Sequence, residues 1–300
     1  WALNVERLDV GGWALNVERL DVGGWALNVE GFSVQGREEM TDPANHDDRP
    51  TLVIKVGGND LDDATFVAEL ARVVAAIRPL PVLVHGGGKE IGILQETLGS
   101  TPRFVGGLRY TDATALTAAE MVLCGSVSTR LVAALITAGA DALGISGVDR
   151  GLIRVVKQEH PAGDLGRVGR PTAVRSEVLR DLLDHGIIPV IAPIALGPDG
   201  LYNVNADEAA GAVAAALGVG EAVFVTNVPG VLVNGDVMHR LTRNEIESLI
   251  ADNTITGGMI PKVRAALTAL DAGVHAARIT NLEGLLNQGT TIITEREPHE

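Results

Sequence analysis

From Thr51 onward, short segments rich in β-branched residues alternate with longer segments rich in Ala, Leu and Glu. The short segments predict strands at residues 51–56, 81–85, 141–145, 187–192, 221–226, 276–280 and 290–293. The longer segments predict helices at residues 62–78, 89–99, 112–138, 176–185, 205–217, 242–251 and 259–272. This alternation favours an α/β fold with an open, mainly parallel sheet sandwiched between helical layers.

Two stretches interrupt the alternation. Residues 151–174 are charged, Gly-rich and only weakly β-forming, a pattern compatible with a hairpin or a lid. The composition also shifts at residues 196–201 (LGPDGL), before the second half of the predicted sheet. We interpret this shift as a weak boundary between two lobes, and it does not indicate an independent domain.

The chain begins with a short internal repeat. Residues 1–12 (WALNVERLDVGG) recur unchanged at 13–24, and residues 25–36 form a degenerate third copy. The period is too short and the copies too few for a solenoid, and the Gly-Gly pairs interrupt any helix. We therefore interpret residues 1–39 as an extension with Met40 as the natural start, and residues 41–50 as a disordered lead-in. Residues 1–50 are expected to lie outside the fold.

Composition excludes several classes of protein. The 300 residues carry a formal net charge of −14 and have a pI of about 4.9, which argues against nucleic-acid binding because that needs a basic surface. A single cysteine, Cys124, excludes a disulfide framework and a cysteine zinc site. No run of 18 apolar residues predicts a membrane span, and no secretory signal is recognisable. A cytoplasmic location is the expectation.

Glycine-rich loops follow two predicted strands and precede one predicted helix. The segments are Val56–Gly58, Gly86–Gly88 and Gly257–Lys262. Glycine lets the backbone approach a ligand closely, and the free N–H groups at a helix start attract anions. A tight turn would explain any one of these loops, but three in an alternating chain indicate a site for an anionic ligand.

The sequence lacks the motifs of several common enzyme classes. Neither G-x-x-x-x-G-K-[ST] nor G-x-G-x-x-G occurs, which disfavours a Walker-type NTPase and a Rossmann dehydrogenase. H-E-x-x-H, G-x-S-x-G and clusters of metal-ligating His or Cys are also missing, so no protein metal site is expected. His85, at the end of a predicted strand, is interpreted as structural rather than catalytic.

Two polar motifs allow both a functional and a structural interpretation. Arg109 lies in a glycine turn and has the planar donor geometry for a carboxylate, although a surface hairpin arginine would look the same. Asn203–Asp207 (NVNAD) opens an Ala-rich helix, where Asn and Asp are ordinary N-caps. Capping requires one such residue, whereas this motif contains three.

Together these motifs resemble the amino acid kinase family, in particular its members that phosphorylate N-acetyl-L-glutamate. They occur in the family's order and are Lys55–Gly58, His85–Gly88, Gly107–Asp112, Asn203–Asp207, Val228–Leu232 and Gly257–Lys262. The resemblance covers residues 51–293. It implies an N-terminal lobe at residues 51–195 for amino-acid substrate binding and dimerisation, and a C-terminal lobe at residues 196–300 for ATP binding.

The resemblance also implies roles for individual residues. Lys55 and Lys262 would neutralise the phosphoryl group during transfer, and Asp207 would hold both lysines. Gly87, Gly88, Arg109 and Asn203 would bind N-acetyl-L-glutamate. The residues expected to bind ATP are Gly57, Gly58, Asn227, Val228, Pro229, Gly230, Val231, Leu232, Thr254, Ile255 and Thr256. Mg²⁺ would be bound through the nucleotide, and the expected assembly is a homodimer.

The chemistry of such a reaction agrees with these residue types. The γ-carboxylate of the substrate has a pKa of roughly 4 and is already ionised at neutral pH, so no general base is needed. Positioning and charge neutralisation remain, and lysines and glycine amides supply both.

One motif departs from the family pattern and keeps alternatives open. The adenosine-side motif usually reads Thr-Asp-Val-Pro-Gly, whereas Asn227 replaces the Asp here. This keeps a carrier-protein-linked α-aminoadipate kinase of lysine biosynthesis as the nearest alternative. A non-catalytic amino-acid sensor on the same fold is a second alternative, although both lysines and Asp207 are present.

Overall fold

The computed structural model describes residues 8–10, 13–15, 52–58 and 60–294. The chain divides into two compact units, Trp1–His46 and Asp47–Glu300. In the first unit, strands β1 (Leu8–Val10) and β2 (Trp13–Leu15) pair antiparallel. Residues 1–50 were expected to lie outside the fold. Apart from β1 and β2, these residues are outside the described part of the chain.

The second unit contains the predicted alternation of strands and helices. Its strands are β3 (Val53–Val56), β4 (Val82–His85), β5 (Phe104–Val105), β6 (Leu108–Arg109), β7 (Asp141–Ser146), β8 (Ile153–Lys157), β9 (Val168–Val174), β10 (Ile187–Ala192), β11 (Ile194–Gly197), β12 (Gly200–Val204), β13 (Glu221–Val225), β14 (Leu232–Val233), β15 (Asp236–Val237), β16 (Arg240–Thr242), β17 (Ala276–Thr280) and β18 (Thr290–Ile293). Its α-helices are α1 (Ala64–Ala75), α2 (Gly88–Thr97), α3 (Ala113–Glu120), α4 (Ser128–Thr137), α5 (Ser176–Asp184), α6 (Ala206–Leu217), α7 (Arg243–Ala251) and α8 (Met259–Asp271).

The main sheet has eight strands in the order β16-β18-β17-β13-β3-β4-β10-β7. All neighbouring pairs are parallel except β17 with β18, so the expected mainly parallel sheet is confirmed. All seven predicted strands belong to this sheet. The eighth strand, β16, was not predicted because three residues are too few for a recognisable alternation.

Successive residues of the central strands point to opposite faces of the sheet and reach two separate cores. On β3, Val53 belongs to the core that contains α6 and α8, whereas Ile54 belongs to the core that contains α1 and α4. Phe224 and Val223 of β13 divide in the same way. Both faces are therefore covered by helices, as the sandwiched arrangement requires.

Residues 151–174 form a hairpin rather than a free lid. Strands β8 and β9 pair antiparallel and close with β11 and β12 into a small four-stranded barrel. The composition shift at residues 196–201 is the tight turn between β11 and β12, where Gly197 pairs with Gly200.

The predicted helix at residues 112–138 is one helical run, Ala113–Thr137, but it is not α-helical throughout. A π-helical segment, Met121–Val127, joins α3 to α4. By length and composition this run could cross a bilayer. In the described structure its side chains Leu123, Val127 and Leu131 are buried in the core beneath the sheet, as in a core helix.

Candidate active site

A cavity of about 680 Å³ opens above the carboxyl ends of β3, β4 and β13. Since these strands are neighbours and parallel, the loops that follow them meet at one edge of the sheet. Ten of the residues predicted as site residues line the cavity, namely Lys55, Gly57, Gly58, Gly87, Gly88, Arg109, Asn203, Asp207, Asn227 and Lys262. The structure thus brings together residues that are more than 200 positions apart in the sequence.

Lys55 and Asp207 form an ion pair inside the cavity. Lys55 lies on the same face of β3 as Val53, and this face is covered by α6, which carries Asp207 in its first turn. Lys55 Nζ lies 2.8 Å from Asp207 Oδ1, and both side chains are about four-fifths buried. Because this oxygen has no well-aligned hydrogen-bond donor among the described residues, the attraction to Lys55 is mainly electrostatic.

The Asn203–Asp207 motif divides its tasks among its three polar residues. Asn205 is the N-cap of α6, and its side chain accepts hydrogen bonds from the backbone N–H groups of Asp207 at 2.7 Å and Glu208 at 3.3 Å. The Asn203 amide donates to Thr111 Oγ1 at 3.2 Å. Capping therefore uses Asn205 alone, and Asp207 and Asn203 are left to face the cavity.

The two glycine loops after β3 and β4 touch each other through their backbones. A Cβ atom on Gly58 would lie 2.5 Å from Gly87 N and 2.7 Å from Gly87 Cα. A Cβ on Gly87 would lie 2.9 Å from Leu123 Cδ2. Glycine is required at position 58 because two main chains approach more closely than a side chain permits, and at position 87 a side chain would be crowded by Leu123.

Two helices begin at this cavity without a side-chain cap. Gly87 precedes α2 and Gly258 precedes α8, and neither position offers a capping side chain. By contrast, Asp63, Asp112 and Thr242 cap α1, α3 and α7 with hydrogen bonds to backbone N–H groups. At α8 the N–H groups of Met259 and Ile260 already donate to the carbonyls of Thr256 and Gly257, so this helix contributes through its dipole. The N–H groups at the start of α2 and the positive ends of both dipoles favour an anion in the cavity.

Lys262 lies in the first turn of α8 and also lines the cavity. Its Nζ donates to the carbonyl of Gly258 at 3.1 Å. In the described residues Asp207 pairs with Lys55 and not with Lys262. The expectation that Asp207 holds both lysines remains a prediction for Lys262.

Arg109 enters the cavity from the β5–β6 hairpin. Its Nη2 donates to the carbonyl of Gly88 at 2.7 Å and its Nη1 to Gln95 Oε1 at 3.0 Å. Partial burial lowers the pKa of Arg109 from its ordinary value, although a guanidinium remains charged at neutral pH. Arg109 is thus a held cation at the cavity wall and not a solvated hairpin residue.

His85 does not line the cavity. It is fully buried at the end of β4, where its Nδ1 lies 3.2 Å from the carbonyl oxygen of Gly86. Burial lowers the pKa of His85 to about 4, so the ring is neutral at physiological pH. These observations agree with the interpretation that this histidine is structural.

The remaining residues predicted to bind ATP lie outside the cavity lining. They are Val228, Pro229, Gly230, Val231, Leu232, Thr254, Ile255 and Thr256. The side chains of Val231 and Ile255 are buried in the core, and the Val231 N–H donates to Thr290 Oγ1 at 2.7 Å. These two side chains can support a nucleotide site by packing but cannot contact a ligand.

Several residues that line the cavity were given no site role from the sequence. Eight of them lie inside the motifs, namely Gly86, Gly107, Leu108, Val204, Asn205, Ala206, Gly258 and Pro261. The others lie outside the motifs and are Asp60, Ile91, Leu123, Val168, Pro193, Phe224, Val225, Thr226 and Ala265. Ile91, Leu123 and Val168 carry no chemical signal and become visible only through the fold.

The described residues contain no group of three His, Cys, Asp or Glu side chains that could hold a metal ion.

Comparisons with known proteins identify the family. A sequence model of the amino acid kinase family matches residues 50–281, more than three quarters of the chain. The chain belongs to the amino acid kinase family. It is therefore a kinase, a transferase that uses ATP, as the motifs predicted.

Individual members of this family are very similar to the chain. The acetylglutamate kinase of Roseiflexus sp. (strain RS-1) is 95% identical over 261 residues, 87% of this chain and 100% of the relative. The acetylglutamate kinase of Roseiflexus castenholzii (strain DSM 13941 / HLO8) is 85% identical over the same shares. Among solved structures, smu.665 from Streptococcus mutans UA159 has 30% identity and a TM-score of 0.69, and the match covers 82% of this chain and 99% of that chain.

Proposed function

We propose that this chain transfers the γ-phosphoryl group of ATP to the γ-carboxylate of N-acetyl-L-glutamate in arginine biosynthesis. The observation that carries the proposal is the cavity that joins Lys55, Lys262 and Arg109 to glycine-rich backbone at one edge of the sheet. Three cations and two uncapped helix starts suit a reaction between two anions. The names of the two Roseiflexus relatives support the choice of acetylglutamate as the acceptor.

The transfer needs no general base. A γ-carboxylate is ionised at neutral pH, so its oxygen can attack phosphorus directly while the bond from phosphorus to the bridging oxygen of ADP breaks. The products are the acyl phosphate and ADP. Lys55 and Lys262 neutralise the charge on the transferring group, and Asp207 orients Lys55.

Arg109 and Asn203 bind the acidic and acetylamino groups of the acceptor. Arg109 brings a held positive charge, and Asn203 brings an amide fixed by Thr111. We assign the backbone N–H groups of Gly87 and Gly88, which line the cavity, to the reacting carboxylate. We assign substrate binding to the lobe formed by residues 51–195, which contains Arg109 and the Gly87–Gly88 loop, and Asn203 joins it from β12 through its hydrogen bond to Thr111.

ATP binds on the side of the cavity formed by residues 196–300. Asn227 lines the cavity from this side, and Gly57 and Gly58 line it from the other lobe. We assign adenine and ribose to residues 228–232 and 254–256, beyond the cavity lining. Backbone that approaches without a Cβ, together with two lysines, fits a triphosphate. Mg²⁺ would be carried by the nucleotide, since it is usually bound through substrate phosphates and water.

The protein acts as a cytoplasmic homodimer, and β7 forms the contact. Strand β7 is the last strand of the main sheet, and its Leu143 is 44% exposed. The neighbouring helical run adds Met121, which is 56% exposed. A strand edge that no other described strand pairs with, beside exposed apolar side chains, favours association with a second copy. Light scattering on Leu143→Lys should give the monomer mass if this edge forms the dimer.

A hydroxamate assay tests the proposed reaction, because hydroxylamine traps the acyl phosphate as it forms. The purified chain should phosphorylate N-acetyl-L-glutamate with ATP. Carrier-linked α-aminoadipate, the acceptor of the alternative kinase, should be a poor substrate. A preference for the carrier-linked acceptor, or no reaction with either, would contradict the proposal.

A further inference from the structure

Arg109 is held by neutral oxygens, unlike other partly buried arginines of the described chain. Arg130 makes a bidentate ion pair with Glu90, and Arg278 pairs with Glu221. Arg109 instead donates to the Gly88 carbonyl and to the amide oxygen of Gln95, and no ion pair among the described residues includes it. Its charge is therefore available to a ligand.

Gln95 is placed to fix the guanidinium. It lies on α2, two turns after Gly88, and is only 1% exposed. Its Nε2 donates to Ser100 Oγ at 3.3 Å, which leaves Oε1 directed at Arg109. One helix thus supplies both acceptors for Arg109, one from its first residue and one from its interior.

An aromatic ring holds the guanidinium from another side. Phe104 and Arg109 are paired residues of the β5–β6 hairpin, and the guanidinium carbon lies 5.0 Å from the centre of the Phe104 ring. Such a cation–π contact restrains the guanidinium without consuming a hydrogen-bond donor.

The hydrogen bonds leave part of the guanidinium free. A guanidinium has five N–H donors, and the bonds to Gly88 and Gln95 use two of them in the described structure. The remaining donors can bind a carboxylate in the bidentate way that arginine favours. A glutamate at position 95 would accept the same hydrogen bond but would cancel the charge.

We propose that Gln95 and Phe104 are positioning residues that set the selectivity for an acidic substrate, since they orient Arg109 without neutralising it. The inference rests on the proposed function, in which Arg109 binds a carboxylate of the acceptor. In the proposed function ATP binds on the other side of the cavity, so the KM for ATP is expected to be independent of both residues.

Substitution of Gln95 by glutamate separates this role from a merely structural one. Gln95→Glu keeps the shape and the Oε1 acceptor but loses the Nε2 donor to Ser100 Oγ and to the Thr101 carbonyl, so a thermal melt first checks that the variant is folded. If Arg109 must be held by uncharged groups, the KM of Gln95→Glu for N-acetyl-L-glutamate should rise at least about tenfold while its KM for ATP stays unchanged. The magnitude follows because a hydrogen bond to a charged group contributes roughly one to two powers of ten to binding. Thr97→Glu places the same charge on the exposed end of α2 and is the matched control.

Phe104→Ala provides a second test that does not disturb the core, because Phe104 is 57% exposed. Its KM for the acidic substrate should rise about threefold, as expected for loss of an exposed cation–π contact. This variant decides the question if Gln95→Glu fails to fold, which a thermal melt would reveal.

Steady-state kinetics and calorimetric binding of N-acetyl-L-glutamate to the wild type and these variants complete the experiment. A wild type that neither binds nor phosphorylates N-acetyl-L-glutamate overturns the proposed function and this inference with it. An active wild type whose Gln95→Glu and Phe104→Ala variants keep its KM overturns the inference alone. Equal rises in the KM values for both substrates would also overturn it, since they would indicate a general structural defect.

Discussion

The close contact between the two glycine loops gives a prediction that can be worked out from distances. In Gly58→Ala the new methyl carbon would lie 2.5 Å from Gly87 N, 2.7 Å from Gly87 Cα and 2.9 Å from Gly86 C. All three are backbone atoms, so no flexible side chain can move away. Because ordinary contacts require about 3.5 Å or more, the loops must separate by about 1 Å.

This separation should affect the rate more than the stability. Overpacking of this kind costs about 2 kcal/mol, which lowers the Tm of a domain of this size by about 4–8 °C. A displacement of about 1 Å in a group that positions the substrate costs roughly 10²-fold in rate. We therefore expect the Gly58→Ala variant to fold and to lose about 10²-fold in kcat/KM.

The hydroxamate assay and a thermal melt measure the two quantities on one preparation. Gly220→Ala is the matched control, since a Cβ at Gly220 meets no atom within 4 Å and Gly220 does not line the cavity. If Gly58→Ala retained its rate within about threefold while its Tm fell as expected, the loops would not need their close approach for catalysis. An unchanged Tm would instead show that the backbones at Gly58 and Gly87 do not approach as closely as these distances indicate.

Three further predictions follow from the site and its surroundings. Lys55→Ala and Lys262→Ala should each lower kcat about 10²-fold, as for a lost oxyanion donor. Lys157 is exposed and paired with a carboxylate, so the Lys157→Ala control should keep the wild-type kcat in the same assay. Arg109→Lys retains the charge but loses the planar fork, so steady-state kinetics should show a raised KM for the acidic substrate and an unchanged KM for ATP. Burial holds the pKa of His85 at about 4 in the folded chain, so between pH 6.5 and 4 only the unfolded chain binds a proton at this residue. The free energy of unfolding should therefore fall by up to about 3 kcal/mol as the pH is lowered over this range. Urea titrations measure this fall, which should be smaller for His85→Asn.

The strands and the polar motifs could be predicted because each rests on local sequence. Hydrophobic runs predicted the seven strands that lie in the main sheet. The motif Asn203–Asp207 has more polar residues than capping needs, and the structure uses Asn205 as the cap. The pairing of Lys55 with Asp207 also had a local basis. One residue ends a strand that bears a glycine loop, and the other begins a helix.

The contacts of Gln95 and Phe104 with Arg109 could not be predicted because they depend on three elements that are separate in the sequence. Gln95 lies in the middle of α2 with no motif around it, and the two-residue strands β5 and β6 are too short to recognise. Only the folded hairpin brings Arg109 to Gln95 and to the Phe104 ring. The small barrel was missed for a similar reason, since its strands pair with partners that lie far along the chain.

The distribution of charge explains how an acidic protein can bind two anionic substrates. The chain carries a formal net charge of −14, yet the ionisable residues at the cavity are Lys55, Arg109 and Lys262 against Asp60 and Asp207. At physiological ionic strength the remote surface charges are screened beyond about 8 Å, so groups inside the cavity dominate. Of the two carboxylates, Asp207 is already paired with Lys55, and the starts of α2 and α8 add positive potential. The local balance therefore favours phosphate and carboxylate groups despite the negative charge of the whole molecule.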